Sequence, residues 1–189
     1  MSELRLAVII GSNREGRFGP TVASWFAEQA RQFDGLDVDV VDLAGIPLPT
    51  AIDFGAEPGP HVTALGERLA AADAFVVVTP EYNHSFPAPL KNAIDLYRAE
   101  WQAKPVGFVS YGGMGGGLRA VEQLRLVFAE LHATTVRDTV SFHNAWDRFD
   151  ESGVPVDEGC NAAAKGMLNQ LTWWARALRG ARAAEPYAA

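Results

Sequence analysis

Five short apolar runs of strand length, each separated from the next by a stretch of helical periodicity, constrain the fold of this chain most. They lie at residues 4–10 (LRLAVII), 37–42 (DVDVVD), 74–79 (AFVVVT), 105–111 (PVGFVSY) and 134–141 (TTVRDTVS). Phe75-Val76-Val77-Val78 offers apolar side chains to both faces, as a strand covered by helices on each side requires. Val22, Trp25, Phe26, Ala30 and Phe33 recur on one face of a helix starting near Pro20, whose fixed φ suits a first turn. Further helices are expected at 60–72, 88–99, 117–132 and 160–182. The last carries Met167, Leu168, Leu171, Trp174, Ala175 and Leu178 on one stripe, read as facing the sheet. Strands alternating with helices fold as βαβ units around a parallel sheet, so an α/β architecture with five parallel strands and helices on both faces is predicted.

The 189 residues suit one domain, 1–189, because the chain buries a substantial core yet is short for two. A formal charge of -7 argues against nucleic acid as a partner, since affinity for the phosphate backbone comes from clustered Lys and Arg. Cys160 is the only cysteine, which excludes an intramolecular disulfide and a multi-cysteine metal site; no metal is expected, and the thiol reads as structural. No segment approaches the ~20 apolar residues of a membrane span. The first run contains Arg5 and lacks the basic start and longer apolar core of a signal peptide, so a cytoplasmic location is expected. Residues 44–60 and 142–159, rich in Pro, Gly and Asp, read as surface connections.

In open parallel sheets, ligands bind beyond the carboxyl ends of the strands where the strand order reverses. Three loops are placed there. The first, GSNREGRFGPT, fails the dinucleotide fingerprint at Asn13. It has the Walker spacing at Gly11 and Gly16, but Arg17 stands for the lysine and Phe18 for the metal-binding hydroxyl. What it retains is the Ser12 hydroxyl, Arg14, Arg17 and the amides of a helix start, which suit a terminal phosphate without metal; an ordinary glycine-rich turn with solvated arginines is the other reading. The second loop, TPEYNHSFPAPLKNAIDLY, is stiffened by Pro80, Pro87 and Pro89. Its Tyr82, Asn83, His84 and Phe86 can present hydrogen bonds and apolar contact to a flat ligand, although His84 reads rather as a solvated loop residue than a catalytic one and Glu81 as a surface or interface carboxylate. The third, SYGGMGGGLRAVEQLRLVF, has five glycines around Met114, whose bare backbone allows a planar ring to approach its N–H groups or simply makes a flexible loop. Taken together, the loops describe a mononucleotide lying across the edge of the sheet.

GSNREGRFGP, TPEYNHSFPAPLKNAID and SYGGMGGGLRAVEQLR resemble the NADPH-dependent FMN reductase family, which is similar to flavodoxin in fold and includes quinone, chromate and azo-dye reductases. The resemblance runs from Leu6 to about Phe142. It implies a flavodoxin-like three-layer sandwich of strand order 2-1-3-4-5, bound FMN, and NADPH or NADH as co-substrate. By motif, Ser12, Arg14, Phe18 and Gly19, with Arg17, would surround the phosphate. Pro80, Glu81, Tyr82 and Asn83 would meet the isoalloxazine, and Ser110, Gly112 and Gly113 would line its other edge. One departure is Gly19, where family loops often carry Ser or Thr. The implied activity passes a hydride from NAD(P)H through FMN to a quinone, flavin or similar small acceptor. That step needs no acid–base residue from the protein, and Tyr82 and His84 are candidates only for orienting substrate. A flavodoxin-like electron carrier or an FMN-binding redox sensor is the alternative. The resemblance also implies a homodimer or homotetramer, for which helix 88–99 with RAEW (98–101) is the expected contact surface.

Overall fold

The computed structural model describes residues 3–53 and 55–188. Strands β1 (Leu4–Ile10), β2 (Leu36–Asp42), β3 (Ala74–Pro80), β4 (Pro105–Gly112) and β5 (Thr134–His143) form one parallel sheet of order β2-β1-β3-β4-β5. The helices are α1 (Gly19–Arg31), α2 (Pro60–Ala71), α3 (Ala88–Asp95), α4 (Leu118–Glu130) and α5 (Gly159–Ala184). The expected three-layer sandwich is therefore the observed one. The strand order reverses between β1 and β3, and this places the loops after those two strands side by side.

Each face of the sheet carries its own core. Val8, Val76, Val78 and Val109 pack with Val22, Phe26, Met167 and Leu171 of α1 and α5 on one side. On the other, Ile9, Phe75, Val77 and Phe108 pack with Leu65, Leu69, Leu90, Leu124 and Phe128 of α2, α3 and α4. The alternation along β3 explains its apolar sequence, since every side chain from Ala74 to Pro80 is buried; Thr79, the one polar residue, donates its hydroxyl to the Pro80 carbonyl at 3.0 Å. Near the middle of β5 the pairing with β4 shifts between Val106 and Phe108. Arg125 of α4 answers the irregular backbone there by donating to the carbonyls of Val136 and Arg137 at 2.7 and 2.9 Å.

Three expectations are corrected. Helix α3 stops at Asp95 rather than 99, because Trp101 folds back and its indole N–H joins the Tyr97 N–H on the Ile94 carbonyl, at 3.2 and 3.4 Å. Trp101 is thereby only 1% exposed, edge-on to Phe75 at 4.7 Å and to Phe128 at 5.5 Å, so it belongs to the core and not to a contact surface. On α5, Met167, Leu168, Leu171 and Ala175 are buried as expected, whereas Trp174 is 38% exposed.

Candidate functional site

The first loop leaves β1 through Gly11, whose N–H donates to the Val78 carbonyl at 2.9 Å and ties the loop to β3. Ser12 is fully buried, and its hydroxyl meets that of Tyr82 at 2.7 Å. The chain then turns outward and enters α1 at Gly19 without a side-chain cap from Phe18. The amides of the first turn, Pro20 excepted, have no intrahelical acceptor and carry the positive end of the helix dipole. Phe18 turns its ring inward, edge-on to Tyr111 at 6.3 Å and to Phe149 at 5.4 Å, so only its backbone faces the loop.

The two arginines of this loop behave differently. Arg14 lays its guanidinium over the Tyr82 ring, 4.1 Å from the centroid, and its charge stays at the protein surface. Arg17 donates to both carboxylate oxygens of Asp42 at 2.8 and 2.7 Å and to the Ser12 carbonyl at 3.0 Å. Hydrogen bonds to Asp42 raise the Arg17 pKa against the opposing effect of burial. Burial works to raise the Asp42 carboxyl, but the Arg17 bonds and the Ala44 amide outweigh it and hold the carboxyl below its ordinary value. Arg17 therefore stitches the loop to the end of β2.

The second loop opens with a tight turn, in which Tyr82 and Ser85 exchange backbone hydrogen bonds at 2.8 and 3.0 Å. Asn83 (φ 50°) and His84 (φ 68°) occupy its central positions in the left-handed region, the geometry of a primed hairpin turn. Both side chains are exposed. Helix α4 clamps this turn: Gln123 donates to the His84 carbonyl at 2.7 Å and accepts from the Ser85 hydroxyl at 2.6 Å. Glu81 is a brace rather than a free carboxylate. It accepts from the backbone N–H and the guanidinium of Arg119 at 3.1 and 2.7 Å, supplying negative charge to the N-terminus of α4.

The third loop is fixed from below. The hydroxyls of Ser110 and Ser141 both donate to the Gly116 carbonyl, at 2.8 and 2.7 Å. His143 Nδ1 donates to the Met114 carbonyl at 2.7 Å, and the Asn144 N–H donates to the Gly113 carbonyl at 2.9 Å. The Gly116 N–H is spent within the loop on the Gly113 carbonyl at 3.1 Å, which leaves the N–H groups of Met114, Gly115 and Gly117 without an acceptor among the described residues. Gly117 requires its residue type: φ is +86°, and a Cβ would lie 2.5 Å from Ser110 Cβ.

The topology thus brings Ser12, Arg14, Phe18 and Gly19 beside Pro80, Glu81, Tyr82 and Asn83, across from Gly112 and Gly113. Ser110 is fully buried, with its hydroxyl committed to Gly116, so it supports the glycine loop from beneath and its side chain does not line the opening. Four contributors lie outside the sequence motifs, Asp42, Ser141, His143 and Trp146, while Gln123 and Arg119 lie within the third motif without having been given a role there. Trp146 is 64% exposed, and its indole edge would be 3.6 Å from a Cβ at Gly113. An aromatic in the polar segment after the last strand was the one available signal for it. Cys160 donates its thiol to the Asp157 carbonyl at 3.0 Å, and burial raises its pKa, as befits a structural thiol. Among the described residues no cluster of three or more His, Cys, Asp or Glu is placed to hold a metal ion, and no helix is long and apolar enough to cross a membrane.

Comparison with known proteins places this geometry in a lineage. The family described as NADPH-dependent FMN reductase matches residues 4–147. An NAD(P)H-dependent FMN reductase of Schizosaccharomyces pombe is 42% identical over 124 residues, which is 60% of this chain and 60% of that relative. An NAD(P)H:quinone oxidoreductase of Solanum tuberosum is 32% identical over 94% of this chain and 95% of its own. Among solved structures, FerB, a flavoenzyme NAD(P)H:(acceptor) oxidoreductase from Paracoccus denitrificans, shares the fold with a TM-score of 0.70 at 24% identity, over 92% of this chain and 97% of that one. With the family matched from the first strand to beyond the last, this chain belongs to the NADPH-dependent FMN reductase family.

Proposed function

We propose that this chain is an FMN-dependent NAD(P)H oxidoreductase that reduces a quinone, flavin or similar small acceptor, with FMN held across the ends of β1, β3 and β4. The observation that carries the reading is the Ser12–Tyr82 hydroxyl bond at 2.7 Å, which locks an uncapped helix start onto the turn after β3. A phosphate and a flat ring joined by a short linker are the groups those two features suit.

The residues present fit FMN at both ends. At the phosphate end, Gly19 begins α1 with no side chain over the first-turn amides, and Arg14 lies close by on Tyr82. At the ring end, the glycine loop offers the N–H groups of Met114, Gly115 and Gly117 on a backbone already braced by Ser110, Ser141 and His143. When bound, FMN supplies the hydride-accepting ring and the electrons for the second substrate. The protein's own residues orient and hold. The N–H groups of Met114, Gly115 and Gly117 favour negative charge on the ring edge they face, while Pro80, Glu81, Tyr82 and Asn83 form a turn that α4 keeps in place. Arg14 supplies the phosphate with a cation, and Arg17 positions the loop through Asp42. His84 and Trp146 border the opening and would meet the incoming substrate.

A cytoplasmic location is part of this proposal, because a single unpaired cysteine suits a reducing compartment. So is assembly as a homodimer or homotetramer; of the RAEW patch only the exposed Arg98 and Ala99, with the half-buried Glu100, are left to contribute to a contact surface. Light scattering on the purified protein reads the assembly. Quenching of FMN fluorescence tests the cofactor site: saturable one-to-one quenching is expected, and none would overturn the reading.

A further inference from the structure

Gly19 lacks the side chain that would lie over the start of α1, and another group has taken that space. A Cβ built at Gly19 would lie 2.8 Å from Oη of Tyr111 and 3.0 Å from Cγ2 of Ile10. Tyr111 reaches this point from β4, where it pairs with Pro80, and passes edge-on beneath Phe18. It is 5% exposed. Among the described residues, its hydroxyl is the buried side-chain polar atom with no hydrogen-bond partner.

An unpaired buried hydroxyl is destabilising, and native structures retain such groups rarely. The first-turn amides of α1 also lack acceptors, because no turn precedes them and no side chain caps them. One anion placed over Gly19 satisfies both. Arg17 is already committed to Asp42, so the phosphate has fewer cationic partners than the sequence suggests, and a further neutral donor gains importance. Burial, together with the neighbouring Tyr82, pushes the Tyr111 phenol far above neutral pH despite the lowering effect of Arg17; the proton is available for donation.

We propose that Tyr111 is a phosphate ligand: its hydroxyl donates to the terminal phosphate of FMN at the start of α1, in the place of the side chain that Gly19 lacks. The inference rests on the FMN reading above. It also explains the pairing of residue types, because a side chain at position 19 and a tyrosine at 111 would compete for one space.

The experiment titrates wild-type protein and Tyr111→Phe with FMN and, separately, with riboflavin, which has the ring but no phosphate, and melts both apoproteins. Loss of a hydrogen bond to a charged acceptor is expected to weaken FMN binding roughly tenfold to a hundredfold. Riboflavin affinity should change less than about twofold, and the Tyr111→Phe apoprotein should melt no lower than wild type because the removed hydroxyl bonds to nothing there. Wild-type FMN affinity in Tyr111→Phe, or equal weakening toward FMN and riboflavin, would overturn the assignment. Failure of wild-type protein to bind FMN at all would instead overturn the cofactor reading, so the two are told apart.

Discussion

Replacing Asp42 with alanine separates two roles for Arg17, ligand of the phosphate or strut of the loop, because they predict opposite signs. Arg17 holds both oxygens of Asp42 at 2.8 and 2.7 Å while reaching the Ser12 carbonyl at 3.0 Å. Its side chain is 16% exposed and that of Asp42 37%, so the pair is partly screened. Its worth falls between the ~0.5 kcal/mol of an exposed pair and the ~3 kcal/mol of a well-sheltered charged hydrogen bond. A middle value of about 1–2 kcal/mol corresponds to about five- to thirtyfold in affinity if FMN must order the freed loop on binding. Asp42→Ala is therefore expected to weaken FMN binding by that factor. Arg17→Ala should weaken it at least as much, since it also gives up the Ser12 carbonyl, and the double variant should add little to Arg17→Ala, since the Asp42 contact is already lost. Asp42→Asn retains an acceptor for the Ala44 amide and isolates the loss of charge. Fluorescence quenching by FMN, with riboflavin as the phosphate-free control, reads each affinity. Tighter FMN binding in Asp42→Ala would refute the strut, because it would mean that the released guanidinium turns to the phosphate.

Arg14→Ala should reduce FMN affinity about tenfold and flatten its dependence on salt, with riboflavin binding unchanged; an FMN affinity equal to wild type would remove Arg14 from the site. Gly117→Ala forces a Cβ into Ser110 at φ +86° and should lower stability by about 1–3 kcal/mol, seen as a lower melting temperature. Trp101→Ala empties a fully buried site between Phe75 and Phe128 and should cost about 3–5 kcal/mol by chemical denaturation; a loss under 1 kcal/mol would contradict its place in the core. Lys104, which donates to the Leu69 and Ala70 carbonyls, is pulled down to about 8 by burial and then by Arg182. Between that value and the ordinary one of 10.5, the unfolded chain keeps a proton that the folded chain has released. The stability of wild type relative to Lys104→Met should therefore rise with pH across the window, and a relative stability that falls would contradict the assignment.

The sheet was legible because its chemistry is local. A strand covered on both faces must be apolar along its length, and β3 is so from Ala74 to Val78. The strand order and the nature of the three loops were legible through motif, since each loop keeps its glycines and prolines within a few residues of a strand end. The braces within those loops were not legible. Asp42 lies 25 residues from Arg17 and Arg119 lies 38 from Glu81, and no periodicity connects such pairs before the strands are set side by side. The same holds for the end of α3, which depends on an indole N–H seven residues downstream. Tyr111 looked like one more apolar residue of β4; only the space at Gly19 marks its hydroxyl as unusual.

The central claim is that this chain turns over NAD(P)H through a flavin held at the ends of β1, β3 and β4. Anaerobic titration of the FMN-loaded protein with NADPH and, separately, NADH, followed by a quinone, tests it most directly. The visible flavin absorbance is expected to bleach with at least one nicotinamide, to return on adding quinone, and to do so through many cycles. A tightly bound flavin that neither nicotinamide bleaches, or one that bleaches but does not return with quinone, would contradict it.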